Sequence, residues 1–200
     1  HEYNATWGNS AIAAAEARAA GVHWTFAPMV DIARDPRWGR IIEGAGEDVF
    51  LGSVIAAARV RGFQGSDYSA SNKILATAKH WVGYGAAQAG RDYGTTDLSE
   101  RVLRETYFPP FKSAVDAGVD SFMTSFNDID GIPATANPFV LKKVLRDEWK
   151  FDGLVVSDYT AVMELMFHGL AKDEAAAAMY ALNAGTDMEM VSRLYNKHGE

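Results

Sequence analysis

Short runs of consecutive apolar residues alternate along the chain with longer alanine-rich or amphipathic stretches. The apolar runs predict strands at residues 23–28, 74–78, 121–126, 153–158 and, more weakly, 186–190. The stretches between them predict helices at residues 9–20, 48–63, 97–116, 137–149 and 172–184. Strands that alternate with helices pair in parallel through β-α-β units. The apolar runs are continuous rather than alternating in polarity, which is typical of strands buried on both faces.

Glycine, proline and capping residues mark several of these boundaries. Gly21 and Gly185 follow two alanine-rich stretches, at the position where glycine commonly ends a helix. Residues 97–100 have the spacing of a capping box, and the Asn-Pro pair at 137–138 is a favourable helix start. The two prolines at 109–110 predict a break or a kink within the helix at 97–116.

This order of elements predicts an α/β fold, a (β/α)8 TIM-barrel-like domain that is incomplete. No predicted strand is followed by a glycine-rich dinucleotide or phosphate fingerprint, which disfavours nucleotide-binding α/β folds. A complete barrel has eight strands and usually about 250 residues, whereas about five strands are visible here and the early ones are missing. We expect residues 1–9 to be an unassigned N-terminal segment and residues 10–200 to be a partial barrel domain. A second copy or a complementary chain should then cover the open edge of the barrel.

The composition narrows the class of protein. Hydrophobic residues make up 48% and charged residues 22% of the chain, which excludes a disordered protein. The formal net charge of −7 argues against nucleic acid and anionic membranes as partners, because both attract clustered positive charge. No apolar run approaches the roughly 20 residues of a membrane-spanning helix. The sequence has no cysteine, so a disulfide, a thiolate nucleophile and a cysteine metal site are excluded.

Polar residues follow the ends of the predicted strands, where (β/α) barrels carry their active sites. Asp158 closes the clearest strand, so its carboxylate could be a nucleophile, a base or a ligand, or could cap a helix. Lys79 and His80 could bind the hydroxyl groups of a polyol, supply a Schiff-base lysine, or be surface groups. Arg37 and Arg40 lie in a loop, and an arginine fork suits carboxylates and vicinal hydroxyls. An ion-pair network that pins the loop is the better interpretation of Arg37.

The remaining polar residues carry weaker predictions. His23, His168 and His198 show no ligand-like spacing with each other or with carboxylates, so no metal site is predicted. Asp31 follows a predicted strand, whereas Asp187 lies within the weak strand predicted at 186–190. Asp187 could be an acid that contacts the catalytic groups rather than the substrate.

Several separated motifs occur in an order that is informative as a set. They are Phe26-Ala27-Pro28, residues 35–40 with Glu43, Lys79-His80-Trp81, Pro133-Ala134-Thr135, the helix at 141–149, and Val155-Val156-Ser157-Asp158. In this order they resemble glycoside hydrolase family 3, most closely its bacterial β-glucosidase branch. The resemblance covers about residues 10–195. It implies retaining hydrolysis of terminal β-D-glucosyl residues through a covalent glycosyl-aspartate intermediate, with a β-linked glucoside or oligosaccharide as substrate.

The resemblance also implies roles for individual residues. Asp158 matches the catalytic nucleophile of the family. Three residues match positions that hold the hydroxyl groups of the non-reducing sugar: Arg40, Lys79 and His80. Arg91 lies where some members have a basic residue close to the sugar. Phe126 lies where many members have a tyrosine, so we expect it to be a wall of the pocket without a hydroxyl contact.

A retaining mechanism needs two carboxyl groups about 5–5.5 Å apart, and only one of them is matched. In the family, the acid/base glutamate usually comes from a second domain, and a sugar-binding aspartate lies on an early barrel strand. Glu43, Glu47 and Glu189 are not substitutes by position. We therefore expect weak or no hydrolysis of natural glucosides by this chain alone. The reaction requires neither a metal nor an organic cofactor.

Other functions remain open from the sequence. A partial barrel could bind a sugar without hydrolysing it, a lyase or aldolase could use Lys79 as a Schiff-base former, and an incomplete barrel could have an assembly role. The resemblance implies a periplasmic or secreted location, because such enzymes are often found there, although the N-terminus shows no signal peptide.

Overall fold

A four-stranded parallel sheet forms the centre of the computed structural model, which describes residues 2–199. In chain order the strands are β1 (Ala78–Trp81), β2 (Ser121–Thr124), β3 (Asp128–Ile129), β4 (Ile132–Pro133), β5 (Leu154–Tyr159) and β6 (Met188–Met190). The sheet has the order β1-β2-β5-β6, and β3 pairs with β4 as a small antiparallel ribbon. Four of the predicted strands therefore have a counterpart, and they pair in parallel as predicted. The strand expected at 74–78 is displaced, because β1 shares only Ala78 with it.

Helices connect the strands of the sheet. They are α1 (Glu2–Ala19), α2 (Val49–Gln64), α3 (Glu100–Val102), α4 (Phe108–Asp116), α5 (Ala161–Glu164), α6 (Glu174–Ala184) and α7 (Leu194–His198). Two further helical stretches, Leu103–Tyr107 and Phe139–Glu148, have the wider π-type hydrogen bonding. No helix within residues 2–199 combines the length and apolar character needed to cross a bilayer.

The fifth predicted strand, at 23–28, is present only as isolated bridges. Trp24 pairs with Leu75 and Met29 with Lys79, both in parallel, so the segment runs beside the residues that lead into β1. Pro28 interrupts the ladder because it has no N–H group to donate. The prediction of a regular strand was wrong here, but the segment still lies where that strand would lie.

Two helix boundaries also differ from the sequence prediction. Ser99, not Asp97, caps α3, and its Oγ accepts a hydrogen bond from Val102 N at 3.3 Å. The break predicted at 109–110 takes the form of the π-helical stretch Leu103–Tyr107, directly before α4. The two prolines cannot donate to carbonyls one turn earlier, which disfavours regular α-helical bonding there.

The N-terminal helix is longer than predicted. Residues 9–20 were expected to be helical, whereas α1 begins at Glu2 and ends at Ala19. The proposed boundary between residues 1–9 and 10–200 therefore lies inside a helix. That division of the chain stays a prediction.

Aromatic side chains fill the space between the sheet and the helices. Trp81 is fully buried, with four aromatic rings at centroid distances of 5.0 to 5.5 Å, from Phe108, Phe111, Phe122 and Trp149. All four residues of β2 are buried, as expected for a strand covered on both faces. This packing fixes the strands whose carboxyl ends carry the candidate site.

Candidate active site

The carboxyl ends of the parallel strands bring the predicted site residues to one edge of the sheet. β2 pairs with β1 through Trp81 and Thr124, and with β5 through Met123 and Val156. This register sets the ends of β1 and β5 at the same level. Asp158, near the end of β5, is therefore close to the polar residues that end β1.

His80 is the centre of the polar cluster. Its ring Nδ1 lies 2.9 Å from Asp31 Oδ2, and its Nε2 lies 3.1 Å from an Arg40 Nη2 and 3.4 Å from Asp158 Oδ2. The His80 backbone N–H also donates to Asp31 Oδ2, at 2.9 Å. Only 1% of each of the His80 and Asp31 side chains is exposed. The structure thus joins Arg40, His80 and Asp158, three of the residues that the sequence proposed for the site.

Glu43 holds the guanidinium group of Arg40. Arg40 Nε donates to Glu43 Oε1 at 2.6 Å, and Nη2 donates to Oε2 at 2.9 Å. This paired geometry restricts the rotation of the guanidinium plane. The pKa of the Glu43 carboxyl is lowered, chiefly by its hydrogen bonds with Arg40. The Arg40 guanidinium therefore stays in one orientation, in which its Nη2 atom also faces His80.

A buried aromatic pair anchors the loop that carries Arg40. Trp38 is 1% exposed and contacts the Tyr84 ring at 5.1 Å between centroids. The indole Nε1 of Trp38 donates to Asp92 Oδ1 at 3.2 Å, and the Tyr84 hydroxyl donates to the same oxygen. The Arg40 guanidinium lies 5.5 Å from the centre of the Tyr84 ring. These contacts fix a long loop in one position beside the site.

The Asp158 carboxyl is mostly buried and has one oxygen without a hydrogen bond. Oδ1 accepts from Tyr159 N at 2.7 Å, whereas Oδ2 is buried and has no hydrogen-bond partner within residues 2–199. Burial raises the pKa of this carboxyl above the ordinary aspartate value, although the positive charges of Arg40 and Lys79 oppose that shift. An unbonded carboxylate oxygen surrounded by positive groups is suited to attack an electrophilic carbon.

Lys79 belongs to the same electrostatic environment. It is half-buried on β1, and its positive charge contributes to lowering the pKa of Glu43 and acts in the same direction on Asp158. Its peptide bond to His80 is cis. Lys79 thus acts electrostatically on the same two carboxyl groups as Arg40, and its role at a sugar stays a prediction.

The structure does not bring Arg91 into this cluster. Its side chain is exposed and forms no hydrogen bond or ion pair with the part of the chain described here. Its neighbour Asp92 supports the Arg40 loop instead. A role for Arg91 at the sugar stays a prediction.

Phe126 is buried between two tyrosine rings. Its ring centroid lies 5.7 Å from that of Tyr84 and 4.3 Å from that of Tyr93. The Phe126 carbonyl lies 3.1 Å from His168 Nε2. Phe126 thus links the aromatic residues beside Arg40 to those beside Asp158, in the place where a wall of the site would lie.

A cavity of about 380 Å³ lies beyond Tyr93, and its other lining residues are Glu164, Phe167 and His168. Glu164 accepts a hydrogen bond from Thr160 Oγ1 at 3.1 Å, and Thr160 lies two residues after Asp158 in the sequence. Burial raises the pKa of the Glu164 carboxyl, and the negative charge of Asp158 adds to the effect. Glu164 is therefore a second carboxyl group in the same electrostatic environment.

Two acidic residues predicted near the last strand have structural contacts instead. Asp187 Oδ2 accepts from Arg146 Nη2 and from Val155 N, both at 2.8 Å, so it lies at the start of β5 and not behind Asp158. Glu189 accepts from Ser192 Oγ and Tyr195 N, both at 2.7 Å, and so holds the start of α7. The prediction that Asp187 supports the site was wrong, because the residue lies at the opposite end of the strand.

Several neighbours of the site were not assigned to it from the sequence. They are Asp31, Tyr84, Asp92, Tyr93 and Glu164. Asp31 follows a predicted strand, and that signal could have identified it. The others lie on loops or on a short helix, where no periodicity indicates which side chains face the sheet. Within residues 2–199, no group of three or more histidine or carboxylate side chains is arranged to hold a metal ion.

Comparison with known proteins identifies the family of the chain. Residues 5–198 match the model of the glycosyl hydrolase family 3 N-terminal domain. A periplasmic beta-glucosidase from Salmonella typhimurium is 43% identical over 187 residues, which are 94% of this chain and 24% of that protein. A beta-xylosidase from Formosa agariphila is 44% identical over 183 residues, which are 89% of this chain and 25% of that protein.

A solved structure shows the same fold. The beta-glucosidase from Listeria innocua in complex with glucose has a TM-score of 0.94 and 43% identity, over 96% of this chain and 27% of that one. The chain thus spans about a quarter of the length of these relatives. The prediction of an incomplete (β/α) barrel is confirmed, because the parallel sheet and its helices match the barrel region of such enzymes. The chain belongs to glycoside hydrolase family 3, and matches the N-terminal domain of that family.

Proposed function

We propose that this chain carries the nucleophile half of a retaining β-glucosidase site, with Asp158 as the nucleophile. Asp158 Oδ2 would attack the anomeric carbon of a terminal β-D-glucosyl residue. The bond from that carbon to the leaving oxygen would break, and a glycosyl-aspartate would form. Water would later hydrolyse this intermediate.

The single observation that carries the proposal is the state of Asp158 Oδ2. It is buried without a hydrogen bond, 3.4 Å from His80 Nε2, at the carboxyl end of a parallel strand. Buried carboxylate oxygens usually have a hydrogen-bond partner. Within residues 2–199, the carboxylate oxygens that are buried without one are Asp158 Oδ2 and Asp31 Oδ1, and both belong to side chains that contact His80. Positive charge from Arg40 and Lys79 would keep the group ionised despite its burial.

We assign sugar binding to the donors beside Asp158. Arg40, Lys79 and His80 are the residues positioned to hold hydroxyl groups, and Phe126 would form a wall of the pocket. Arg91 would reach the sugar only after its exposed side chain turns towards the site. Contacts that strengthen as positive charge develops on the ring would lower the barrier to reaction.

We propose that the acid/base carboxyl comes from outside these 200 residues. The chain alone would then hydrolyse natural glucosides weakly or not at all. A glucoside is our preferred substrate, although the relatives include enzymes named for β-glucosides and for β-xylosides. The name of the Salmonella typhimurium relative supports a location outside the cytoplasm.

Covalent labelling tests the nucleophile directly. The protein is incubated with 2,4-dinitrophenyl 2-deoxy-2-fluoro-β-glucoside, and its intact mass and peptide map are measured. Dinitrophenolate leaves with the electron pair and needs little acid assistance, while the fluorine slows loss of the bound sugar. We expect one sugar, attached to Asp158. The matching xyloside reagent, tested in parallel, reports the preferred sugar.

Two variants make the labelling result specific. Asp158→Asn should abolish labelling, because an amide side chain does not form the glycosyl ester that a carboxylate forms. Asp152→Asn is the matched control, since Asp152 is exposed on the loop before β5, and it should label at the wild-type rate. A folded wild-type protein that takes up neither sugar would contradict the proposal. Retained glucose binding by that protein would favour a sugar-binding partial barrel.

A further inference from the structure

The hydrogen bonds of His80 define which ring nitrogen carries the proton. The Arg40 guanidinium has only donors, so His80 Nε2, at 3.1 Å from its Nη2, must be the acceptor and carry no hydrogen. In the neutral ring the proton is then on Nδ1, which donates to Asp31 Oδ2 at 2.9 Å. The two contacts thus specify one tautomer, Nδ1–H.

Asp31 is placed to enforce that tautomer. A single oxygen, Oδ2, accepts from both the His80 backbone N–H and the ring Nδ1–H, each at 2.9 Å. The backbone N–H can only donate, so Asp31 Oδ2 must be an acceptor. The same oxygen also faces His80 Nδ1, which must therefore be the donor of that hydrogen bond. Both side chains are 1% exposed, so water does not compete for these positions.

The tautomer has a consequence for Asp158. His80 Nε2 and Asp158 Oδ2 are 3.4 Å apart and form no hydrogen bond, and Oδ2 has no hydrogen-bond partner within residues 2–199. A small movement of either side chain would let a proton on Nε2 reach that oxygen, whereas a bare Nε2 has no proton to donate. A hydrogen bond to a nucleophilic oxygen would stabilise its lone pair and reduce its reactivity.

We infer that Asp31 is a positioning residue that holds His80 in the Nδ1–H form and so keeps Asp158 Oδ2 free of a proton donor. This inference rests on the proposed function in so far as Asp158 is the nucleophile. A carboxylate that orients an imidazole and sets its tautomer is a common device in catalytic and metal sites.

Nitrogen NMR of the histidine ring tests the tautomer without any substrate. Long-range ¹H–¹⁵N correlation spectra distinguish protonated from bare ring nitrogens, and His80→Gln identifies the His80 signals among those of the five histidines. We expect a protonated Nδ1 and a bare Nε2 in the wild-type protein. A protonated Nε2 would overturn the inference, whether or not the protein reacts with glucosides.

Two substitutions of Asp31 separate the acceptor from the charge. Asp31→Asn retains an oxygen for both His80 donors, so it should preserve the ring signals. Asp31→Ala removes the acceptor, so the Nδ1–H form should no longer be fixed. Labelling of Asp158 should then slow by roughly 10- to 100-fold, the range in which outer carboxylates affect histidine function at metal sites.

The control is Asp35→Ala, which also removes an aspartate carboxylate, four residues after Asp31 in the sequence. Asp35 pairs with Arg37 at the surface, away from His80, so its loss should change neither the ring signals nor the labelling rate. Unchanged ring signals and labelling in a folded Asp31→Ala protein would contradict the inference. Should that variant fail to fold, the wild-type spectrum still decides the tautomer. Correct ring signals in a wild-type protein that never labels would instead refute the proposed nucleophile.

Discussion

At the scale of single residues, burial and charge act against each other on Asp158. Removing a carboxylate from water disfavours its ionised form, whereas the positive groups around Asp158 favour it. Burial is the larger effect, and the pKa is raised. A site that needs an ionised nucleophile therefore reduces the stability of the fold that holds it, a common trade-off between stability and activity.

This trade-off predicts that Asp158→Asn stabilises the protein at neutral pH. With its pKa raised in the folded state, the wild-type carboxyl contributes stability only while it is protonated, and that contribution is lost as pH rises through the folded-state pKa. An amide has no such loss. Thermal unfolding should therefore show a higher Tm for the variant at pH 7, and the difference should shrink as pH falls below about 4, the ordinary aspartate range.

The exposed Asp152 provides the comparison for this measurement. Its side chain is exposed to solvent, so Asp152→Asn should change Tm little. A lower Tm for Asp158→Asn than for the wild type at pH 7 would show that the lost contacts of the carboxylate outweigh its desolvation.

At the scale of elements, the close approach of α1 and α2 depends on a glycine. A Cβ atom added at Gly62 of α2 would lie 2.5 Å from Ser10 Cβ and 2.7 Å from the Trp7 carbonyl oxygen of α1. At Gly8 of α1, by contrast, an added Cβ would meet nothing within 4 Å. Two glycines inside helices thus serve different purposes.

Alanine substitutions at these two glycines should have opposite signs. Gly8→Ala should raise the free energy of unfolding by about 0.5–1 kcal/mol, because alanine loses less backbone entropy in a helix. Gly62→Ala should lower it by about 1–3 kcal/mol, because backbone atoms of α1 must move to admit the methyl group. Urea denaturation of both variants measures the two effects. Stabilisation by Gly62→Ala would mean that α1 is not held against α2 in solution.

At the scale of the whole molecule, the chain combines the proposed half-site with an open sheet. β6 is the outer strand of the four-stranded sheet, and Met188 and Val191 at this edge are 45% and 55% exposed. Open edges invite pairing with another strand. A second copy or a complementary chain is our proposal for what covers this edge.

The half-site predicts a particular pattern of reactivity for the chain alone. Cellobiose should be hydrolysed far more slowly than by a complete β-glucosidase, because its leaving sugar needs a proton from an acid. Dinitrophenyl β-glucoside should react, and added azide should yield β-glucosyl azide, because azide needs no base to activate it. Product analysis by NMR and mass spectrometry follows both reactions. Rapid cellobiose turnover without azide would show that an acid/base group is present in the chain, and Glu164 would then be the first residue to replace.

The sequence by itself determined the parallel α/β arrangement, because continuous apolar runs, glycine stops and helix caps are local signals. It also proposed Asp158, Lys79 and His80, which belong to short motifs at predicted strand ends, and Arg40, which belongs to a loop motif. The sequence predicted a regular strand at 23–28, and the structure has none. Pro28 has no backbone N–H to donate to the neighbouring segment, and the position of that segment is not visible in the local sequence. The sequence placed Asp187 with the site, because a strand end and a strand start look alike in an apolar pattern.

Only the tertiary structure decided how the polar groups pair. Asp31 and His80 are 49 residues apart, and His80 and Asp158 are further apart still, so their distances depend on the register of separate strands. The orientation of the His80 ring and the absence of a hydrogen bond at Asp158 Oδ2 follow from those distances, not from the local sequence pattern. The sequence therefore proposed which groups belong to the site, and the packing of β1, β2 and β5 specified which atom of each group faces the next.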